Sequence, residues 1–230
     1  GRAGSGVNNI PIDKYTEQAI PVFNAPGANS NAVKELVLAS ILISARNIHS
    51  AIKYVESVKD SDDLKSEIEQ GKKAYLGFEL PTKTLGVIGL GQIGVKVANA
   101  AHDLGMNVVG YDPEITVDNA INLQPGVQNV SDLKELLNES DIITIHIPHK
   151  KENENFISEN KIKQLNDGAI IINLSREAIV DSIAVLKHLE TSKIKTYVTD
   201  FPNEEMINHK DVLVMPHLGA STKEAQINCA

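Results

Sequence analysis

Three glycines punctuate the run Gly89-Leu90-Gly91-Gln92-Ile93-Gly94, which follows the apolar stretch Leu85 to Ile88 and leads into a helical pattern from Gln92 to Leu104. Between a strand and a helix this GxGxxG spacing has a physical purpose. Gly89 permits a tight turn, Gly91 admits a pyrophosphate against bare backbone, and Gly94 lets the helix pack on the strand, so that the helix start faces an anion. A second apolar run, Asn107 to Tyr111, ends at Asp112, 18 residues past Gly94. An acidic side chain there accepts hydrogen bonds from the adenosine ribose hydroxyls and repels a 2′-phosphate. Pro113 and Glu114 follow, with no Arg or Lys to receive that phosphate, so the spacing predicts NAD as cofactor in preference to NADP.

The elements that would hold such a site are legible as a rhythm. Apolar runs at 85–89, 107–111, 141–147, 169–174, 195–199 and 212–215 alternate with amphipathic or capped segments. That alternation predicts an α/β fold, a doubly wound parallel sheet of Rossmann type. Parallel strands are covered on both faces, which accounts for continuous runs such as Ile170-Ile171-Ile172. Gly105 reads as a helix stop, Ser131 and Ser158 as helix starts, and Asp181 as a cap ahead of Ser182 to Leu189. Upstream, Ile20 to Phe23 reads as an edge strand. Asn29 or Ser30 is expected to cap a long helix over 31–48, residues 56–73 have helical propensity, and Lys72 to Thr84 reads as an irregular arm.

Composition narrows the partners. The chain has 230 residues, 42% hydrophobic and 23% charged, enough to bury a real core. A net charge of -8 with scattered lysines gives no footprint for nucleic acid. With 4% aromatic residues there is little from which to build a base-stacking platform. The longest apolar stretches fall short of a bilayer span, so no membrane partner is expected. One cysteine, Cys229, excludes an internal disulfide framework and fits a reducing, cytoplasmic location; it reads as an inert thiol near the chain end. The histidines show no metal-ligand spacing with carboxylates, so no metal site is expected.

Several motifs in order give the chain a resemblance to the D-isomer-specific 2-hydroxyacid dehydrogenases. They are Gly1-Arg2-Ala3-Gly4-Ser5-Gly6-Val7-Asn8-Asn9, Val22-Phe23-Asn24-Ala25-Pro26, the glycine loop with Gly110-Tyr111-Asp112-Pro113, Asn173-Leu174-Ser175-Arg176, and Pro216 through Gln226. The resemblance implies two lobes. Residues 24–215 would form the cofactor domain, 1–23 a remnant of a substrate-binding domain, and 216–230 a return segment toward it. The chain would then be a fragment, and the helix at 31–48 with its following arm would make a homodimer contact.

Carried over by position, the resemblance makes His217 the proton donor and acceptor, Glu204 its carboxylate partner, and Arg176 the clamp for a substrate carboxylate and carbonyl oxygen. The chemistry is coherent, since imidazole titrates near neutrality and the guanidinium fork matches a carboxylate bidentately. The resemblance also points to Gln92 and Ile93 at the pyrophosphate, and to Leu174, Ser175 and Arg176 near the nicotinamide with His217, Leu218, Gly219 and Ala220 beside it. Ser5 would be a further cofactor contact, and Arg2 would favour a phosphorylated substrate. The implied reaction is oxidation of a D-2-hydroxy acid, with 3-phosphoglycerate going to 3-phosphooxypyruvate in serine synthesis as the leading case. Glyoxylate or hydroxypyruvate reduction and a non-catalytic, dinucleotide-sensing corepressor are the alternatives.

Two positions depart from the family pattern. Glu177 follows Arg176 where glycine is usual, which places a carboxylate in competition for the guanidinium. Thr199 replaces an aspartate, with Asp200 one place later and expected on the opposite strand face.

Overall fold

The apolar runs become β1 (Thr84–Ile88), β2 (Asn107–Tyr111), β3 (Val127–Asn129), β4 (Ile142–Ile145), β5 (Ala169–Asn173), β6 (Ile194–Thr199) and β7 (Val212–Val214). This is a computed structural model that describes every residue except Ala3, Ser5, Asn8, Asn9 and Ala230. The strands pair in parallel, in the order β3-β2-β1-β4-β5-β6-β7. Strand order reverses between β1 and β4, which opens a crevice at their C-terminal ends.

The helices in chain order are α1 (Ile12–Glu17), α2 (Ser30–Ala45), α3 (Ile48–Ser57), α4 (Leu64–Gly71), α5 (Gln92–Asp103) and α6 (Val117–Ile121). They continue as α7 (Leu133–Glu139), α8 (Glu159–Ile162), α9 (Ser182–Glu190), α10 (Glu204–Ile207) and α11 (Lys223–Cys229). Alternation along the strands feeds two cores. Ile88, Ile143, Ile145 and Ile171 face Leu136, Ile162 and Val185 on one side. Leu85, Val87, Ile142, Ile170 and Ile172 face Val37 and Ile41 of α2 and Val97 and Ala98 of α5 on the other. Each such valine, leucine or isoleucine, removed from water, contributes about 1.5–3 kcal/mol.

Local signals set several boundaries. Gly105 ends α5 at φ +85, a conformation glycine adopts without strain. The Asp181 carboxylate accepts from Ala184 N at 3.0 Å and opens α9, while Ser158 precedes α8. The start of α7 is one residue later than expected, because Asp132 rather than Ser131 accepts from a helix amide, Lys134 N, at 2.9 Å. Residues 72–82 form two 3₁₀ turns, Lys72–Tyr75 and Leu80–Thr82, in place of a regular element.

Three expectations change. Ile20 to Phe23 is not a strand; among the described residues the chain pairs there through an isolated bridge between Arg2 and Asn24, with Arg2 N donating to Phe23 O and Ala25 N to Gly4 O. Proline at 21 withholds a donor, and no neighbouring strand is present among the described residues to receive the rest. The helix expected over 31–48 breaks after Ala45 because Asn47 takes a left-handed φ of 50 and starts α3 in a new direction. Asn29 does not cap α2 with its side chain. No single helix among the described residues is long and apolar enough to cross a membrane.

Candidate functional site

The glycine turn has the geometry its spacing demands. Gly89 sits at φ +91, where a Cβ would also lie 2.7 Å from the His146 carbonyl oxygen. A Cβ on Gly94 would run into the Gly89 carbonyl, so helix and strand approach as closely as backbones allow. At Gly91 a Cβ would meet nothing within 4 Å, which leaves open space in front of the first, unpaired amides of α5. Asp112, at the end of β2, closes the turn: its Oδ2 accepts from Leu90 N at 2.8 Å and its Oδ1 from Glu114 N at 2.9 Å. Each oxygen retains a lone pair for a ribose hydroxyl. An open anion cradle with an acid beside it fits a dinucleotide without a 2′-phosphate.

A cleft of about 750 Å³ lies at the C-terminal ends of the strands. It gathers Arg2, Ile93, Leu174, Ser175, Arg176 and His217, together with Gly219 and Ala220. Gln92 is exposed at the start of α5, with its Nε2 donating to Asn119 Oδ1 at 3.1 Å. Leu218 is 39% exposed and stands outside the cleft wall. Ser5 lies outside the described residues.

Asn173 shapes the loop that carries Arg176. Its Oδ1 accepts from Ser175 N and Oγ at 3.2 and 2.8 Å, and its Nδ2 donates to Arg176 O at 2.9 Å. The Arg176 guanidinium donates from Nη1 to Ser175 O at 2.6 Å. No hydrogen bond or ion pair joins Glu177 to Arg176 among the described residues. Glu177 instead opens the 3₁₀ turn Glu177–Ile179, so the expected competition for the guanidinium is not formed.

His217 adopts a left-handed φ of 47 after Pro216, with its amide donating to Asp200 O at 3.0 Å and Met215 O at 3.1 Å. A non-glycine residue held there is strained and depends on its surroundings. Its ring stands edge-on to Phe201, with centroids 5.0 Å apart. Glu204, at the start of α10, is exposed and forms no hydrogen bond or ion pair to His217 among the described residues; the structure does not bring this expected pair together.

Several cleft residues, Asp200, Asn29, His146 and Cys229 among them, were not singled out by sequence reasoning as site residues. Asp200 is buried, 1% exposed, and lines the cleft instead of lying on the opposite face of the sheet. The reason is that β6 ends at Thr199, so strand alternation no longer governs the next side chain. Its Oδ2 accepts from Gly219 N at 3.2 Å, while its Oδ1 is buried without a hydrogen-bond partner among the described residues. Burial pushes the Asp200 carboxyl up, opposed by the Gly219 amide and the charges of His217 and Arg176. Thr199 Oγ1 accepts from Phe201 N at 3.2 Å and so stabilises the turn that redirects Asp200.

Asn29, read as a cap, presents an Oδ1 in the cleft wall that is buried and unpartnered among the described residues. His146, bonded through Nε2 to Thr144 Oγ1 at 3.0 Å, is lowered to about 3 by burial and is neutral at pH 7. Cys229, expected to be a bystander near the chain end, also lines the cleft.

The geometry has close counterparts. Residues 38–219 match the family model described as D-isomer specific 2-hydroxyacid dehydrogenase, NAD binding domain. The chain is 39% identical over 232 residues to D-3-phosphoglycerate dehydrogenase of Methanocaldococcus jannaschii, covering 98% of this chain and 42% of that protein. It is 36% identical to the human protein of that name, covering 100% of this chain and 42% of the relative. The chain thus spans about two fifths of the length of these relatives.

Among solved structures, D-lactate dehydrogenase from Aquifex aeolicus, complexed with NAD and lactic acid, superposes with a TM-score of 0.80 at 26% identity. That match covers 99% of this chain and 71% of the other. A glyoxylate reductase from Paecilomyes thermophila gives 0.81 at 27%, covering 99% and 67%. A parallel sheet reversing at a glycine turn, an acid at the end of β2, and a sequence match across most of the chain lead to one conclusion: the chain belongs to the D-isomer-specific 2-hydroxyacid dehydrogenase family and carries that family's NAD-binding domain.

Proposed function

We propose that the protein oxidises a D-2-hydroxy acid with NAD, and that 3-phosphoglycerate, converted to 3-phosphooxypyruvate, is its substrate. The observation that carries this reading is the shared cleft: Arg176 and His217 line it together with Ile93, next to the glycine turn. NAD, when bound, supplies the acceptor for the hydride that leaves the substrate carbon. Arg176 holds the substrate carboxylate through its planar fork. An imidazole nitrogen of His217 takes the hydroxyl proton as the carbonyl forms, and returns it in the reverse direction.

Glu204 is the carboxylate partner of His217 in this reading. Because no bond joins them in this structure, the pairing requires the α10 turn to shift when the cleft closes on substrate; catalytic hydrogen bonds commonly tighten only in the complex. Arg2, at the cleft edge, selects a phosphorylated acid. Residues 1–23 and 216–230 belong with the substrate-binding lobe, and 24–215 form the cofactor domain. The names of the similar relatives favour 3-phosphoglycerate over glyoxylate or hydroxypyruvate.

The test is a rate assay on the full-length protein, following NADH absorbance with D-3-phosphoglycerate, D-lactate, glyoxylate and hydroxypyruvate. His217→Gln is expected to lower kcat by about 10²–10⁴, the usual worth of general acid–base catalysis. Arg176→Lys is expected to act mainly on the KM for the acid. No turnover of any of the four acids, with NAD still bound, would favour a dinucleotide-sensing protein instead.

A further inference from the structure

Gly6 is not a glycine for the sake of its backbone. Its φ lies outside the left-handed region, unlike Gly4 at φ +110, so an L side chain is conformationally allowed there. What forbids a side chain is a neighbour. An added Cβ would lie 2.5 Å from Arg176 Nη2 and 3.7 Å from Arg176 Cζ, and no other described atom would come within 4 Å. On the other side, Arg2 Nε donates to the Gly6 carbonyl oxygen at 2.9 Å. One residue is therefore in contact with two guanidinium groups, and all three line the cleft.

We propose that Gly6 is a specificity-determining positioning residue: the space left by its missing side chain receives the Arg176 guanidinium, and its carbonyl holds Arg2 beside it, which sets the separation of two cations for an acid with two anionic ends. The inference rests on the reading of Arg176 as the carboxylate clamp. Its physical signature is unusual for a glycine. The obstructed atom is the tip of a flexible side chain, so Gly6→Ala displaces the guanidinium instead of the fold. The bidentate geometry suffers while the sheet and the glycine turn at 89–94 do not.

The experiment compares Gly6→Ala, Arg176→Lys and the double variant in the full-length protein, with steady-state kinetics on D-3-phosphoglycerate and D-lactate, NAD affinity, and thermal melts. Gly6→Ala is expected to raise the KM for D-3-phosphoglycerate by about fivefold or more, with a smaller rise for D-lactate and less change in kcat, as loss of ground-state binding requires. NAD affinity and Tm should stay at wild-type values. In the Arg176→Lys background the same substitution should add little, because both changes remove one interaction.

A Gly6→Ala enzyme with wild-type KM, beside an Arg176→Lys enzyme with a raised one, overturns the inference and leaves the clamp standing. Wild-type KM in both variants removes the clamp and the inference together. A fall in Tm shared by Gly6→Ala and the double variant would show that the glycine serves the fold, and also overturns the proposal.

Discussion

Asp200 shows how a single side chain can be set against stability. Buried at the end of β6 with one oxygen unpartnered, its carboxyl is held above the usual range by burial, against the pull of Gly219 N–H, His217 and Arg176. A raised folded-state pKa favours the protonated form, so the stability Asp200 contributes is fully present below the ordinary carboxylate pKa and is lost as pH rises through the folded value. Asp200→Asn stays neutral throughout. The variant should therefore melt above the wild type at pH 7, with the gap closing as pH falls toward 4. Melts that place it below wild type at pH 7 would show that the attraction of His217 and Arg176 outweighs burial. This position was the least legible in the sequence. Asp200 follows Thr199 by one residue, and only knowledge of where β6 stops shows that it turns into the cleft.

At the scale of elements, the glycine turn separates what a residue does for the fold from what it does for a ligand. A Cβ at Gly94 collides with the Gly89 carbonyl, and backbone cannot yield cheaply. Gly94→Ala should thus cost about 1–3 kcal/mol, as overpacking does, seen as a lower Tm with or without NAD. A Cβ at Gly91 enters open space, so Gly91→Ala should leave the apo Tm unchanged while weakening NAD affinity by about tenfold or more, some 1.4 kcal/mol. Equal loss of apo stability in both variants would contradict the assignment of that space to a ligand.

The turn was readable because three glycines and a following acid each answer a separate steric or electrostatic demand. The long runs at β1, β4 and β5 were readable because burial on both faces leaves no polar alternation. β3 was not. Only Val127 of its three residues is buried, and its pairing to β2 is set by the neighbouring strand rather than by its own composition. α1 escaped notice for a similar reason, having no buried residue to imprint a helical period.

At the scale of the molecule, α2 spends its apolar face on α5 and the sheet, whereas α3 does not. Ile48, Ile52 and Val55 recur at helical spacing and are 39%, 54% and 45% exposed. They line a groove of about 520 Å³ together with Ala51 and the charged Arg46 and Glu56. Apolar patches rimmed by charge are characteristic of association surfaces. The resemblance implies a homodimer contact through the helix at 31–48 and its following arm, and within that stretch α3 is the part proposed to make its centre.

In the proposed contact a two-fold axis would set the groove of one copy against that of the other in reverse, so that Arg46 of each would meet Glu56 of its mate and the isoleucines would fill the centre. In such an isologous interface one substitution acts twice. Ile52→Glu puts two carboxylates into the apolar centre, and at about 2 kcal/mol or more for each, the dissociation constant should rise by about a thousandfold. Sedimentation velocity at micromolar protein should then give a dimer for the wild type and a monomer for the variant, with both retaining NAD affinity because the groove is lined by none of the cofactor-turn residues. A wild-type monomer at those concentrations, or a variant that remains dimeric, would place the contact elsewhere on the molecule.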